Sequence, residues 1–245
     1  MSVRDESFSA VFTHALRGMP CRVVGLGPEP SPLPVADWTR EADEADHALL
    51  AWCVGPTIDI GCGPGRLSAG LAARGHVVLG IDVVHEAVEQ TRQRGASAIL
   101  RDVFESIPGE GRWESALLAD GNVGIGGDPV RLLRRVREVL DPRGRVVVEL
   151  APPGVPMTTT WASIEGDDVR SRPFRWSVLG VDDIAHVAEA AGWGVSACEP
   201  FAGRWCAVLE EQLAPVAALP VAPAGAARHL QDVSRDPHHP EEPTT

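Results

Sequence analysis

Lysine and tyrosine are both missing from the 245 residues, so all 22 basic side chains are arginines. Without lysine there is no Schiff-base nucleophile and no P-loop ammonium. Without tyrosine there is no tyrosine-based hydride chemistry. Positive charge is also short: 34 acidic residues against 22 basic ones give a formal charge of −12. A surface of that sign repels phosphate backbones and anionic headgroups, which argues against a nucleic-acid or membrane-surface binder. No apolar run approaches the roughly 18 residues of a membrane span, and the start, MSVRDESFSAVF, has no signal-peptide core. The expectation is a cytoplasmic protein. Five cysteines (Cys21, Cys53, Cys62, Cys198, Cys206) are an odd number without a CxxC pair. They predict reduced, packed thiols, with neither a disulfide framework nor a metal site.

Three stretches differ in texture. Residues 1–53 carry two amphipathic helical patterns joined by a proline-rich connector, and are read as an N-terminal helical cap. In the first, Phe8, Val11, Phe12, Ala15 and Leu16 share a face, with Ser7 as cap and Gly18 as stop. The connector GLGPEPSPLPV predicts no regular element. The second helix is expected after Thr39, with Glu41, Asp43 and Glu44 in its first turn. Residues 54–210 alternate apolar runs with helical patterns: runs at 56–60, 76–82, 97–102, 114–120 and 145–150, then GVSACEP and WCAVLE near the end. Apolar strands separated by helices predict a mostly parallel sheet with helices on both faces. The last two runs are joined by a turn near Phe201–Gly203, too short for a parallel crossover, so they form an antiparallel pair. Residues 211–245, rich in alanine and proline, read as a disordered tail.

The strongest local signal is Asp59-Ile60-Gly61-Cys62-Gly63-Pro64-Gly65, a strand end running into a helix. Glycines at alternate positions permit a sharp turn and bring backbone amides close to a ligand. The spacing is GxGxG; a dinucleotide fingerprint needs GxGxxG, and Arg66 stands at its last position. Asp59 beside the turn repels a pyrophosphate and attracts an ammonium. Asp82 closes the next strand, placed to accept ribose hydroxyls. Asp102 closes the one after, placed to receive an exocyclic amine, with Val103 or Phe104 against the base.

At these residues the sequence resembles the class I S-adenosylmethionine-dependent methyltransferases, over about residues 54–210. Leu140-Asp141-Pro142-Arg143-Gly144, before an apolar strand ending in Glu149, is similar to that family's turn before its fifth strand. The resemblance implies an α/β, Rossmann-like, doubly wound mixed sheet of seven strands in the order 3-2-1-4-5-7-6, strand 7 antiparallel. It implies S-adenosyl-L-methionine as cofactor and S-adenosyl-L-homocysteine as product. The residues implied to hold the cofactor are Asp59, Gly61, Cys62, Gly63 and Gly65 for the methionine part, Asp82 and Val83 for the ribose, Asp102 and Val103 for the adenine, and Asp120 at the fourth strand's end.

Beyond that strand runs Ala119-Asp120-Gly121-Asn122-Val123-Gly124-Ile125-Gly126-Gly127-Asp128-Pro129. Its glycines let the loop lie close to its surroundings. Asp128-Pro129 reads as a helix cap and first helical residue. Asp120 and Asn122 are the candidates for a catalytic role, with loop fixing as their other reading. The loop lacks the [DN]PP[YF] motif of many amino-group methyltransferases, and Pro20-Cys21 lies too far upstream to be the Pro-Cys of cytosine-C5 enzymes. The expected acceptor is therefore a small molecule. Residues 151–180 show no clear periodicity and read as a long functional loop. Asn122, Trp161, Arg172 and Trp176, with Arg170 and Phe174, are its candidate substrate contacts. Two rival functions share much of this pattern: a non-catalytic S-adenosylmethionine-binding regulator or assembly protein, and a nicotinamide-dependent oxidoreductase. The sequence leaves the oligomeric state open.

Overall fold

The computed structural model describes residues 4–211, so the expected tail, apart from Glu211, lies outside the described residues. Glu211 itself closes the last strand.

A short strand β1 (Arg4–Glu6) leads into helix α1 (Phe8–Leu16). Ser7 caps α1 by accepting the Ala10 N–H, and Gly18 turns the chain away at a φ of +89°. Next come β2 (Arg22–Val24), β3 (Ser31–Pro32), α2 (Val35–Thr39) and α3 (Glu44–Leu50). The proline-rich connector thus holds one two-residue strand, at the edge of its sheet where proline's missing donor costs nothing. The second predicted helix begins four residues late, because Asp43 caps it from outside. The Asp43 carboxylate accepts the Asp46 N–H at 2.9 Å, and the Asp46 carboxylate accepts the Asp43 N–H at 3.1 Å.

The predicted alternation then follows: β4 (Thr57–Ile60), α4 (Arg66–Ala73), β5 (Val78–Asp82), α5 (His85–Gln93), β6 (Ser97–Leu100) and β7 (Trp113–Leu118). A single 3₁₀ turn (Asn122–Gly124) precedes α6 (Pro129–Val139) and β8 (Leu140–Leu150). After β9 (Thr158–Glu165), β10 (Val169–Ser171) and β11 (Phe174–Val178) come α7 (Ile184–Ala190), β12 (Trp193–Phe201) and β13 (Arg204–Glu211).

The main sheet runs β12-β13-β8-β7-β4-β5-β6. This is the anticipated seven-strand order, with β13 antiparallel to both its neighbours. Ala202 and Gly203, both at positive φ, make the two-residue hairpin between β12 and β13. Ile58, Ile60, Ala116, Leu118, Val146 and Val148 form the sheet's contribution to the larger core, against Leu132, Leu133 and Val136 of α6. The opposite face packs Leu117 and Val147 against Leu49 and Leu50 of α3 and Leu67 and Leu71 of α4.

The segment read as a structureless loop holds three strands, β9, β10 and β11. They join β1, β2 and β3 in a second sheet ordered β1-β10-β9-β2-β3, with β11 also on β9. The N-terminal segment is therefore helices plus strands. Local periodicity could not show this pairing. β9 faces β11 along Thr158–Ala162 and β2 along Ser163–Glu165, so its burial pattern changes midway.

Candidate functional site

The chain runs from β4 outward through β5 and β6, then returns to the other side of β4 for β7 and β8. The crevice beyond the carboxyl ends of β4 and β7 is the topological switch point where open α/β sheets bind ligands.

Gly61, Gly63 and Gly65 all have positive φ, between +54° and +87°. At two of them a neighbour also excludes a side chain. A Cβ on Gly61 would lie 2.8 Å from Asn122 Nδ2, and one on Gly65 would lie 2.6 Å from Thr91 Oγ1. At Gly63 the same atom would meet nothing within 4 Å, so the loop is open there. No side chain caps α4, and its first N–H groups point back toward the loop.

The acids expected around the loop divide by environment. Asp82 ends β5 with Oδ2 accepting the Gly63 N–H at 3.0 Å and Oδ1 accepting the Val84 N–H at 2.9 Å. It is half-buried, and burial raises its pKa against the pull of those amides. Val83 beside it is exposed. Asp102 accepts the Phe104 N–H at 2.9 Å and remains partly open. Asp59 differs from its expected role. It is buried beneath the loop, its carboxylate accepting the Ser68 hydroxyl at 2.6 Å, and so does not face the open side. Burial pushes its pKa up to about 7, opposed by Ser68 and reinforced by Asp120 and Asp82.

Two other expected contacts turn inward. The Cys62 side chain is buried, its Sγ 3.6 Å from Thr91 Oγ1 and pressed against Gly80, so only its backbone remains for a ligand. Val103 belongs to the main core. Phe104 lies against Gly126 and beneath the Arg131 guanidinium, 4.3 Å from the ring centroid.

Asp120 adopts a φ of +52°, rare for a residue with a side chain. Two ionic contacts hold it there. Arg66 Nη2 lies 2.7 and 2.6 Å from its carboxylate oxygens, and its own N–H donates to Glu149 Oε2 at 2.7 Å. Arg204, on β13, donates to both Glu149 oxygens at 2.8 and 2.7 Å. Arg66, Arg204 and Arg40 all converge on Asp46 of α3, which is fully buried. Burial alone would raise the Asp46 pKa, but the Asp43 amide and the three guanidiniums hold it at about 2. Three cations thus balance three anions beside the glycine loop. Sequence reasoning missed Asp46 and Arg204, whose partners lie far away along the chain. Asn122 fixes the loop: its Nδ2 donates to Ile60 and Gly61 carbonyls at 2.9 and 2.8 Å.

Next to Asp120 lies a cavity of about 190 Å³. Val123, Glu149, Leu150, Trp176, Val178 and Leu179 line it, together with Gly121, Ala151 and Ser177. β11 reaches this position because Gly124 has no side chain: a Cβ there would lie 2.0 Å from the Ser177 carbonyl oxygen. Of the four expected substrate contacts, only Trp176 lines the cavity. Trp161 is 64% exposed on β9, Arg172 is exposed with no place in the lining, and Asn122 is spent on the loop. Arg170 pairs with Glu165, and Phe174 packs edge-on against Phe8. A larger open concavity of about 590 Å³ between α6 and α7, lined by Arg134, Arg137 and Gly192, lies at the opposite end of the strands.

The sheet order, the antiparallel last strand and the three-glycine loop define a Rossmann-like ligand-binding α/β protein. Residues 58–144, from β4 into β8, match the family model described as Methyltransferase domain. Over those residues the sequence is similar to a methyltransferase domain, and the fold is consistent with a class I S-adenosylmethionine-dependent methyltransferase. No curated protein matches the sequence. Among solved structures, a S-adenosylmethionine-dependent methyltransferase from Bacteroides fragilis, in complex with S-adenosyl-L-homocysteine, superposes with a TM-score of 0.70 at 19% identity, over 84% of this chain and 94% of that one. A 1,6-didemethyltoxoflavin-N1-methyltransferase from Burkholderia thailandensis, with bound 1,6-didemethyltoxoflavin and S-adenosylhomocysteine, gives 0.51 at 21% identity, over 71% and 80%. The glycopeptide N-methyltransferase MtfA, complexed with S-adenosyl-L-homocysteine, gives 0.53 at 17% identity, over 71% and 90%. At these identities the likeness is one of fold.

Proposed function

We propose that the chain transfers a methyl group from S-adenosyl-L-methionine to a small-molecule acceptor held in the cavity beside Asp120. The observation that carries this reading is the open backbone at Gly63, tied to the Asp82 carboxylate at the switch point, with a small cavity next to it. The bound cofactor supplies a methyl group already activated by its sulfonium, so the protein's task is positioning and exclusion of water. Asp82 has lone pairs left for ribose hydroxyls beyond those spent on Gly63 and Val84, and the exposed Val83 flanks them. Asp102 is open to an exocyclic amine. Asp59, beneath the loop, does not touch the ligand, and it adds negative potential under the ligand's cationic end only as pH rises past its raised pKa of about 7.

The small-molecule reading draws on the cavity's size and on the net charge of −12, which disfavours nucleic acid. The Burkholderia thailandensis neighbour, with 1,6-didemethyltoxoflavin bound, is a precedent in the same fold. Among the described residues no helix is long and apolar enough to cross a membrane. The N-terminal segment, together with β9–β11, caps the acceptor side, since β11 supplies Trp176 and Ser177 to the wall.

Thermal unfolding with ligands tests the reading. At 100 times its dissociation constant a ligand stabilises the fold by about 2.7 kcal/mol, roughly 5–10 °C for a domain of this size. S-adenosyl-L-methionine and S-adenosyl-L-homocysteine are expected to give that shift, and NAD none. The reverse pattern would return the protein to the nicotinamide enzymes. Binding without any methyl transfer across acceptor panels would favour the non-catalytic regulator.

A further inference from the structure

We infer that the acceptor atom is an uncharged nitrogen on a compact molecule of one or two rings. The inference rests on the methyl-transfer reading above and adds the chemistry of the acceptor. At about 190 Å³ the cavity is smaller than the roughly 300–1,000 Å³ of sites for drug-sized ligands. Val123, Leu150, Ala151, Val178 and Leu179 supply the apolar part of its wall, and Trp176 adds a flat indole.

The hydroxyl and the carboxylate of that wall, Ser177 and Glu149, are already engaged. The Ser177 hydroxyl is 2.6 Å from Thr159 Oγ1. Glu149, the one ionisable side chain of the lining among the described residues, accepts two bonds from Arg204 and a third from the Asp120 amide. Its charge is balanced by Arg204, and the Asp120 bond holds a backbone conformation that needs holding.

Three consequences follow for the acceptor. A carboxylate or phosphate would shed its hydration against a wall that, among the described residues, has no arginine or histidine to replace it. A hydroxyl or phenol acceptor needs a base to take its proton, and the wall holds no free one. An uncharged amine or ring nitrogen needs neither. Its lone pair forms the N–C bond as the S–C bond breaks, and the breaking bond's electrons stay on sulfur as a neutral thioether. The positive charge moves from sulfur to nitrogen without any net charge being created in the cavity. An N–H proton, where the product carries one, leaves to water.

A matched trio isolates the acceptor group: 5-aminoindane, 5-indanol and indane-5-carboxylate, each with the full chain. A thermal shift with S-adenosyl-L-homocysteine alone comes first; its absence would sink the cofactor reading and not this inference. With the cofactor bound, the amine is expected to raise the melting temperature further and to accept label from methyl-tritiated S-adenosyl-L-methionine at pH 7.5. Its rate should exceed that of the hydroxyl compound at least tenfold, and the carboxylate should neither bind nor react. Replacing Trp176 by alanine should weaken binding of the amine while leaving the shift with S-adenosyl-L-homocysteine alone intact. Equal transfer to 5-indanol, carboxylate binding as tight as the amine's, or no response to any of the three would overturn the inference.

Discussion

Aspartates 59 and 82 end adjacent strands, and their surroundings give them different roles. Asp59 lies in the interior with one hydroxyl partner, and its pKa of about 7 stands well above the roughly 3.9 of an unfolded chain. A raised acid favours the native state while protonated. Its contribution is therefore full below about pH 4 and is lost as pH rises toward 7. Asp59→Asn should flatten that decline: thermal scans from pH 4 to pH 8 are expected to show the variant gaining on the wild type as pH rises. Asp82 faces the open side and ties Gly63 and Val84. Asp82→Ala should weaken S-adenosyl-L-methionine binding at least tenfold by calorimetry, about 1.4 kcal/mol. Because those two amide bonds also go, stability should fall as well, by about 1–3 kcal/mol. Asp82→Asn should lie between the two on both scales.

Helix α6 is set by its ends and one face. Asp128 accepts the Arg131 N–H at 2.9 Å, Pro129 occupies the first turn, and Leu132, Leu133 and Val136 go into the core. Asp128→Ala should lower stability by about 1 kcal/mol in chemical denaturation. Cofactor affinity should stay at the wild-type value, since the cap touches nothing in the glycine loop. Strand β11 is a different kind of element. Its place depends on Gly124 and Gly127, where a Cβ would lie 2.0 Å from the Ser177 carbonyl and 2.7 Å from Arg175 Cβ. The glycines after β7 thus admit a covering strand as well as a ligand.

Across the molecule, Asp46 joins the N-terminal segment to the central sheet and the final hairpin through Arg66 and Arg204. A depressed acid stabilises the native state above its unfolded pKa. The Asp46 contribution is therefore present above about pH 4 and is lost as pH falls toward 2. Asp46→Asn should remove that limb of the acid-unfolding curve. At pH 7 it should destabilise by about 2 kcal/mol, because the buried Arg66 loses one of its two counter-charges and keeps Asp120. A wild-type acid limb retained in the variant would place the titrating group elsewhere.

The sequence by itself determined the main sheet, its glycine loop and the acids at its edge. Those signals are local: apolar runs at strand length, amphipathic faces at helical spacing, glycines where φ must be positive, and Ser7 and Asp128 as caps. The same rules let Asp82 and Asp102 be placed by counting along the chain. Only the tertiary structure decided which way each side chain turns. Asp59, Cys62 and Val103 follow the motif in sequence, yet they point inward because the packing behind the loop claims them. Trp161, Arg172 and Trp176 share one stretch of chain, yet only Trp176 reaches the cavity, since β11 docks where Gly124 admits it and the other two lie off that strand. The Asp46–Arg66–Asp120–Glu149–Arg204 network joins residues up to 158 positions apart, and the second sheet pairs Arg4 with Val169, 165 positions apart. Pairings at such separations leave no periodic trace in the sequence and arise only when the chain closes on itself.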